Sequence, residues 1–372
     1  MKHRIVVLGA GYAGIHAAGR LARRLHPTDT EITLVNAEAH FVQRIRMHQL
    51  ATGQQVARRP LRDVLAGTGV TLRQARVVAV DADHNTVTCE DGPQINFDTL
   101  VYALGSTAAT DGLNIAGEQG ALAVRDRLHA LPDGASVLIV GGGLTGIEAV
   151  TEIAESRPGL DVRIAVRGGF GDWLGERART HLHGVADRLG ITVLEHTDGS
   201  SRHADLTVWA TGFSAHPIAA ASGVTVADGR IVVDETMRSV SHPHIYAVGD
   251  AALATGPGGR PLRMSCASGT PMAWQAADAI AARLTGGPLP KNHIRYVAQC
   301  VSLGRRDGII QLVTADDQAK PTAITGRAAA RIKEMICAGA AWNIAHPPLL
   351  LPTRRRHVTP ANDLAAALRV AE

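Results

Sequence analysis

The sequence predicts an α/β chain with two three-layer units built on parallel sheets, and a small α+β region at the C-terminal end. Three observations carry this expectation. An apolar run at 5–8 passes directly into Gly9, Gly11 and Gly14 and then into an Ala-rich stretch. The same order returns at 136–140, followed by Gly141, Gly143 and Gly146. Two further apolar runs end in glycine turns, at Gly105 and Gly212, where each unit would close.

The spacing G-x-G-x-x-G has a physical reading. The first glycine permits a tight turn, and the second lets the backbone approach a pyrophosphate. The third lets helix and strand pack closely, so that phosphates rest on a helix N-terminus. Each unit is therefore expected to be a Rossmann-like (three-layer ββα) dinucleotide-binding domain. Two of them in one chain imply two dinucleotides, a flavin and a nicotinamide. Gly9, Ala10, Gly11 and Gly14 are the candidate residues of the first turn, and Gly141, Gly143 and Gly146 those of the second.

Composition narrows the class. The chain has 372 residues, enough for two or three cores. Its net charge of +4 and aromatic content of 3% give little to hold nucleic acid, so none is expected as a partner. Lysine stands only at 2, 291, 320 and 333, so arginine carries most of the basic charge. The cysteines at 89, 266, 300 and 337 are too scattered for a C-x-x-C or a C-x-x-x-x-C, and they read as reduced thiols. No histidine pair has H-x-x-x-H or H-E-x-x-H spacing, and no metal is expected. With no charged-then-apolar leader before Ile5 and no apolar run of 18 residues, a cytoplasmic protein is expected.

Along the chain, a helix should follow Gly14 to about Leu25, and a second strand should occupy 31–35. An acidic ribose reader belongs about 20 residues past the third glycine, but Asn36 stands there. Its amide can still bond ribose hydroxyls, less strongly than a carboxylate; Glu38 is the alternative. The segment 40–49 has two readings: an ordinary surface helix, or a run passing under a flavin ring with Arg44 near the diphosphate. Residues 76–81 and 86–89 should pair as a hairpin. In the second unit a strand is expected at 162–166, where Val166 takes the acidic position and Arg167 follows. Arg167 is either a solvated loop residue or a reader of a 2′-phosphate, leaving NADH and NADPH both open. Residues 242–250 should form a short strand that delivers Gly249 and Asp250 ahead of a helix at 268–284. Cys266 reads as a buried structural thiol. The tail should hold strands at 296–303 and 309–313 and a helix near 325–338. An apolar stretch beside three arginines, within 341–357, reads as peripheral membrane contact, as a homodimer contact, or as an ordinary capped tail.

Four landmarks thus occur in order: G-A-G-Y-A-G, the A-L-G turn, G-G-G-L-T-G-I-E and A-V-G-D-A-A. Together they resemble the FAD/NAD(P)-binding pyridine nucleotide-disulfide oxidoreductase superfamily. Within it, the chain is similar to the non-disulfide branch of type II NADH dehydrogenases and apoptosis-inducing-factor-like quinone reductases. The resemblance spans about 4–285 and is vague beyond. It implies an FAD domain in two pieces (1–112 and 241–290), an NAD(P)H domain at 113–240 and a C-terminal interface domain at 291–372. It also implies that Asp250 and Gly249 meet the ribityl or diphosphate part, that Val77 contacts adenine through its backbone, and that Glu148 lies near the hydride path. The expected activity is hydride transfer from NADH or NADPH to bound FAD, then electron transfer to a small-molecule acceptor, a quinone first. A tailoring flavoenzyme for one metabolite and a non-catalytic NAD(P)H sensor stay open beside it.

Overall fold

The computed structural model describes residues 1–346 and 354–360. The first unit begins with β1 (His3–Leu8), α1 (Tyr12–Arg24), β2 (Thr30–Asn36), α2 (Met47–Ala51), β3 (Thr71–Gln74) and β4 (Thr99–Tyr102). The second contains α3 (Glu118–Ala130), β5 (Ser136–Val140), α4 (Leu144–Ser156), β6 (Asp161–Ala165), α5 (Glu176–Arg188), β7 (Thr192–Leu194) and β8 (Leu206–Trp209). After it come β9 (Ile245–Ala247) and α6 (Cys266–Thr285), then β10 (Ala298–Ser302), β11 (Gly308–Val313), β12 (Ala319–Thr325) and α7 (Gly326–Ala345).

Two all-parallel sheets hold the glycine turns. The first has the order β9-β4-β1-β2-β3, the second β7-β6-β5-β8. In each, the glycine-bearing strand (β1 or β5) is the point where strand order reverses, which is where open α/β sheets take ligands. Such strands are covered on both faces, so they read as unbroken apolar runs. Ile5, Val7 and Leu8 are fully buried, as are Val137 and Ile139.

β9 closes the first sheet although it lies more than a hundred residues from β4 in sequence, with Ile245 beside Leu100. α6 lies along α1, where Asp278 accepts from Arg20 at 2.5 Å and from Arg24 at 3.1 Å. The C-terminal strands β10-β11-β12 form an antiparallel sheet. α7 runs to Ala345, seven residues beyond the expected end near 338. Residues 354–360 return to the first unit, where Asp29 accepts from His357 Nδ1 at 2.8 Å and from the Val358 N–H at 3.0 Å. Residues 347–353, part of the expected membrane or dimer stretch, lie outside the described residues. Among the described residues, no helix is long and apolar enough to cross a membrane.

Candidate functional site

The two glycine turns are near copies of each other. Gly9 donates to Val35 O at 2.8 Å, and Gly141 to Ala165 O at 2.9 Å. Ile15 and Ile147 begin their helices by bonding back to Gly11 O and Gly143 O. Gly9 (φ +94°) and Gly141 (φ +122°) adopt backbone that disfavours a side chain. A Cβ on Gly14 would strike the carbonyl of Gly9, and one on Gly146 the carbonyl of Gly141. A Cβ on Gly11 or Gly143 would instead point into open space. Both of these glycines cap their helices without any side-chain hydrogen bond, leaving the first-turn N–H groups available to a ligand. Among the described residues nothing fills either turn, so both are open cradles, and their N–H donors suit a diphosphate.

Both cradles open into one cavity of about 840 Å³. From the first unit it is lined by Gly11, Arg44, His48, Gly105, Gly249 and Asp250. From the second come Gly141, Gly143, Glu148, Arg167 and Gly212, and from α7 Lys333. The segment 40–49 forms the short strand His40–Phe41, a 3-10 turn and α2, with Met47 and His48 buried, so it is not a plain surface helix. The Arg44 guanidinium lies 5.3 Å from the centre of the Phe213 ring, donates to Ala116 O and Ser106 Oγ, and stands 3.6 Å from Asp250. Burial holds its pKa below the ordinary value, against the pull of Asp250. Ser106 in turn donates to Asp250 at 2.6 Å.

Asn36 ends β2 beside the first turn. Its Oδ1 accepts from the Ala10 N–H at 2.9 Å and its Nδ2 donates to Glu38 O at 2.8 Å, so much of its amide is engaged by the protein. Val77 is buried at the start of the expected hairpin, outside the cavity wall. Cys266 is exposed to the cavity rather than buried, because it is the first residue of α6 and the start of that helix faces inward.

Glu148 sits in a buried charge cluster. Its Oε1 accepts from Lys333 Nζ at 2.7 Å and from the Ser302 N–H at 3.1 Å, while His48 Nδ1 stands 3.6 Å from Oε2. Burial alone would raise a carboxyl's pKa. Here Lys333 and His48 overcome it and hold Glu148 below its ordinary value. Lys333, raised by the same contact, also donates to Cys300 O at 2.7 Å. His48 is pushed down, chiefly by burial; its Nε2 is buried and has no partner among the described residues. Burial drives the Cys300 thiol up and that of Cys337 up to about 11, which disfavours a thiolate nucleophile in this wall. The sequence alone did not reveal Lys333 or His48. The one signal for Lys333 was its rarity, as one of four lysines in an arginine-rich chain.

Residues 3–281 match the profile of a family described as pyridine nucleotide-disulphide oxidoreductase. A curated NADH dehydrogenase-like protein of Mycobacterium tuberculosis is 30% identical over 347 residues, covering 81% of this chain and 86% of that protein. The type II NADH:quinone oxidoreductase of Staphylococcus aureus is 24% identical, covering 92% and 96%. Among solved structures, the sulfide:quinone oxidoreductase of Aquifex aeolicus shares the fold at TM-score 0.76 and 18% identity over 94% of this chain and 93% of that one. NDH2 of Plasmodium falciparum, solved with NADH, does so at TM-score 0.76 and 14% identity over 93% and 96%.

Proposed function

This chain belongs to the pyridine nucleotide-disulphide oxidoreductase family, and from that premise we propose that it is an FAD-dependent NAD(P)H oxidoreductase whose acceptor is a quinone. One observation carries the oxidoreductase reading: two dinucleotide cradles, on two separate sheets, open into a single cavity. Two unrelated nucleotide sites would not need to share a wall, whereas hydride transfer requires reacting atoms about 3–3.5 Å apart. The quinone assignment draws on the printed name of the S. aureus relative.

Hydride acceptance from a reduced nicotinamide and onward electron transfer would be supplied by bound FAD, and are the cofactors' own chemistry. The chain supplies position and field. The first turn, with Ala10 held by Asn36, would seat the FAD diphosphate, and Arg44, Gly105, Gly249 and Asp250 would surround its ribityl side. Val77 is left with adenine contact through its backbone. The second turn, with Gly212 opposite, would seat the nicotinamide dinucleotide, and Arg167 would face its ribose. Lys333, which holds the Glu148 carboxyl below its ordinary range, would present a carboxylate in the wall shared by the two dinucleotides. The domain limits 1–112 with 241–290, 113–240 and 291–372 follow this division of labour.

Met335, Ile336 and Trp342 are exposed on α7, and Ile336 also lines the cavity. That favours α7 as the side from which an apolar acceptor enters, by peripheral contact with a membrane surface. A homodimer through the same residues is the competing use, and vesicle sedimentation set against sizing in solution separates the two.

The deciding experiment is the visible spectrum of the purified protein, followed by anaerobic titration with NADH, with NADPH, and then with a quinone. Flavin bands bleached by a nucleotide and restored stoichiometrically by the quinone are expected. A colourless protein that takes up no FAD would remove the two-cradle assignment. Bleaching without reoxidation by quinones would remove the acceptor and favour a sensor or a metabolite-specific enzyme.

A further inference from the structure

In the first unit a polar side chain from the end of β2 closes the turn, since Asn36 Oδ1 takes the Ala10 N–H at 2.9 Å. The second unit has no such side chain. Gly9 bonds to Val35 O and Gly141 to Ala165 O, so Val166 is the counterpart of Asn36, and it packs where a Cβ on Gly142 would lie. The loop after β6 folds back over the turn instead. Trp173 Nε1 donates to Gly142 O at 3.3 Å, and the Phe170 N–H donates to Glu195 at 2.6 Å. Phe170 and Leu174 are buried. Held in this way, Asp172 reaches the cavity wall that also contains Val166 and Arg167, with its side chain 55% exposed.

The loop is built around that carboxylate. Asp172 Oδ2 accepts from the Gly169 N–H at 2.6 Å. A Cβ on Gly169 would land on the Asp172 carboxyl, and one on Gly168 would come within 3.0 Å of Oδ2. Neither glycine has a positive φ, so space rather than backbone conformation calls for them. Among the described residues Oδ1 has no hydrogen-bond partner; Arg179 Nη1 stands 3.9 Å away, beyond hydrogen-bond reach.

A dinucleotide whose diphosphate rests on a glycine turn lays its adenosine ribose at the end of the next strand, here β6. Resting on the NAD(P)H reading above, we propose that Asp172 is the ribose reader of the second cradle and selects NADH against NADPH. Its Oδ1 accepts from an adenosine ribose hydroxyl, and its charge repels a phosphate at the same place. The arginines of this wall do not offset that repulsion. Arg167 is within electrostatic reach of Asp198, and Arg179 stands by Asp172 itself, so each cation already faces a carboxylate.

The same bonds would serve a turn with no ligand role, and the experiment separates the two. Holoenzyme is titrated calorimetrically with ADP-ribose and with 2′-phospho-ADP-ribose, and its flavin is bleached anaerobically by NADH and by NADPH. The wild type should bind ADP-ribose at least about tenfold more tightly than its 2′-phosphate. Asp172→Asn keeps an acceptor for the Gly169 N–H but loses the charge, so this preference should fall at least about tenfold. In bleaching, the NADH concentration for half-maximal rate should rise with little change in the limiting rate, because the ribose is held alike before and during hydride transfer. Equal weakening toward both ligands, or no change, would leave only a structural turn and overturn the assignment. A wild type that prefers the 2′-phosphate would overturn it as well. Gly169→Ala covers the case in which Asp172→Asn does not fold. It crowds the carboxyl out of the turn without altering its charge, so the preference should fall there too; an unmoved preference overturns the assignment. A wild type bleached by neither nucleotide removes the oxidoreductase reading and takes the role of Asp172 with it. Failure of that role alone leaves bleaching intact and shows only in the affinity ratios.

Discussion

Replacing Lys333 by Met tests the buried charge cluster most directly. The ammonium stands 2.7 Å from Glu148, and their side chains are 14% and 11% exposed. At an effective dielectric of about 20, a contact this short is worth about 6 kcal/mol of attraction before desolvation. Removing one partner of a buried pair costs about 3–5 kcal/mol, because the other charge stays buried. Glu148 keeps the Ser302 N–H and can take up a proton, so the low end, about 3 kcal/mol at pH 8, is expected. At about 2 °C per kcal/mol for a chain of this size, the melting temperature should fall by about 6 °C. The pH dependence follows from linkage. In the wild type the folded pKa of Glu148 lies below its unfolded value. Its stabilisation is therefore present above the unfolded pKa and is lost as pH falls through the folded one. In Lys333→Met, burial should lift the folded pKa above the unfolded value, so the variant loses stability as pH rises between the two. Melting curves at pH 5 and pH 8 should show less than half the deficit at pH 5. Adding Glu148→Gln should recover most of the loss at pH 8. A deficit equal at both pH values, or a double variant worse than Lys333→Met alone, would refute the cluster as described.

Three further outcomes are expected. Gly143→Val should abolish bleaching by NADH and NADPH while the protein stays yellow, since its side chain would enter the cavity space over the second turn; a folded but colourless variant would reverse the assignment of the two turns. Gly11→Val should do the converse, with FAD content lost in the spectrum after purification and a native circular dichroism signal retained. Arg167→Ser should lower kcat/KM for NADPH about tenfold or more relative to NADH if the guanidinium meets a 2′-phosphate, and an unchanged ratio would make Arg167 a solvated loop residue.

Much of this protein was legible in its sequence because the decisive signals are local. Strand, turn and helix of each cradle fit within about fifteen residues. Backbone sterics at Gly9 and Gly141, and the tight contacts at Gly14 and Gly146, tie residue type to conformation without reference to the rest of the chain. The strands on both sides of each turn read as apolar runs because parallel strands are buried on both faces. What only the tertiary structure decided is the set of polar contacts across distant segments. Lys333 reaches Glu148 across 185 positions, and His357 reaches Asp29 across 328. Arg44 lies against Phe213, and Asn36 spends its amide on the neighbouring turn. None of these has a spacing rule, because a side chain meets a remote partner wherever two packed elements happen to bring it. The nature of the cofactor cradles is therefore written in short stretches of sequence, while the charge and protonation around them are set by how those stretches are packed together.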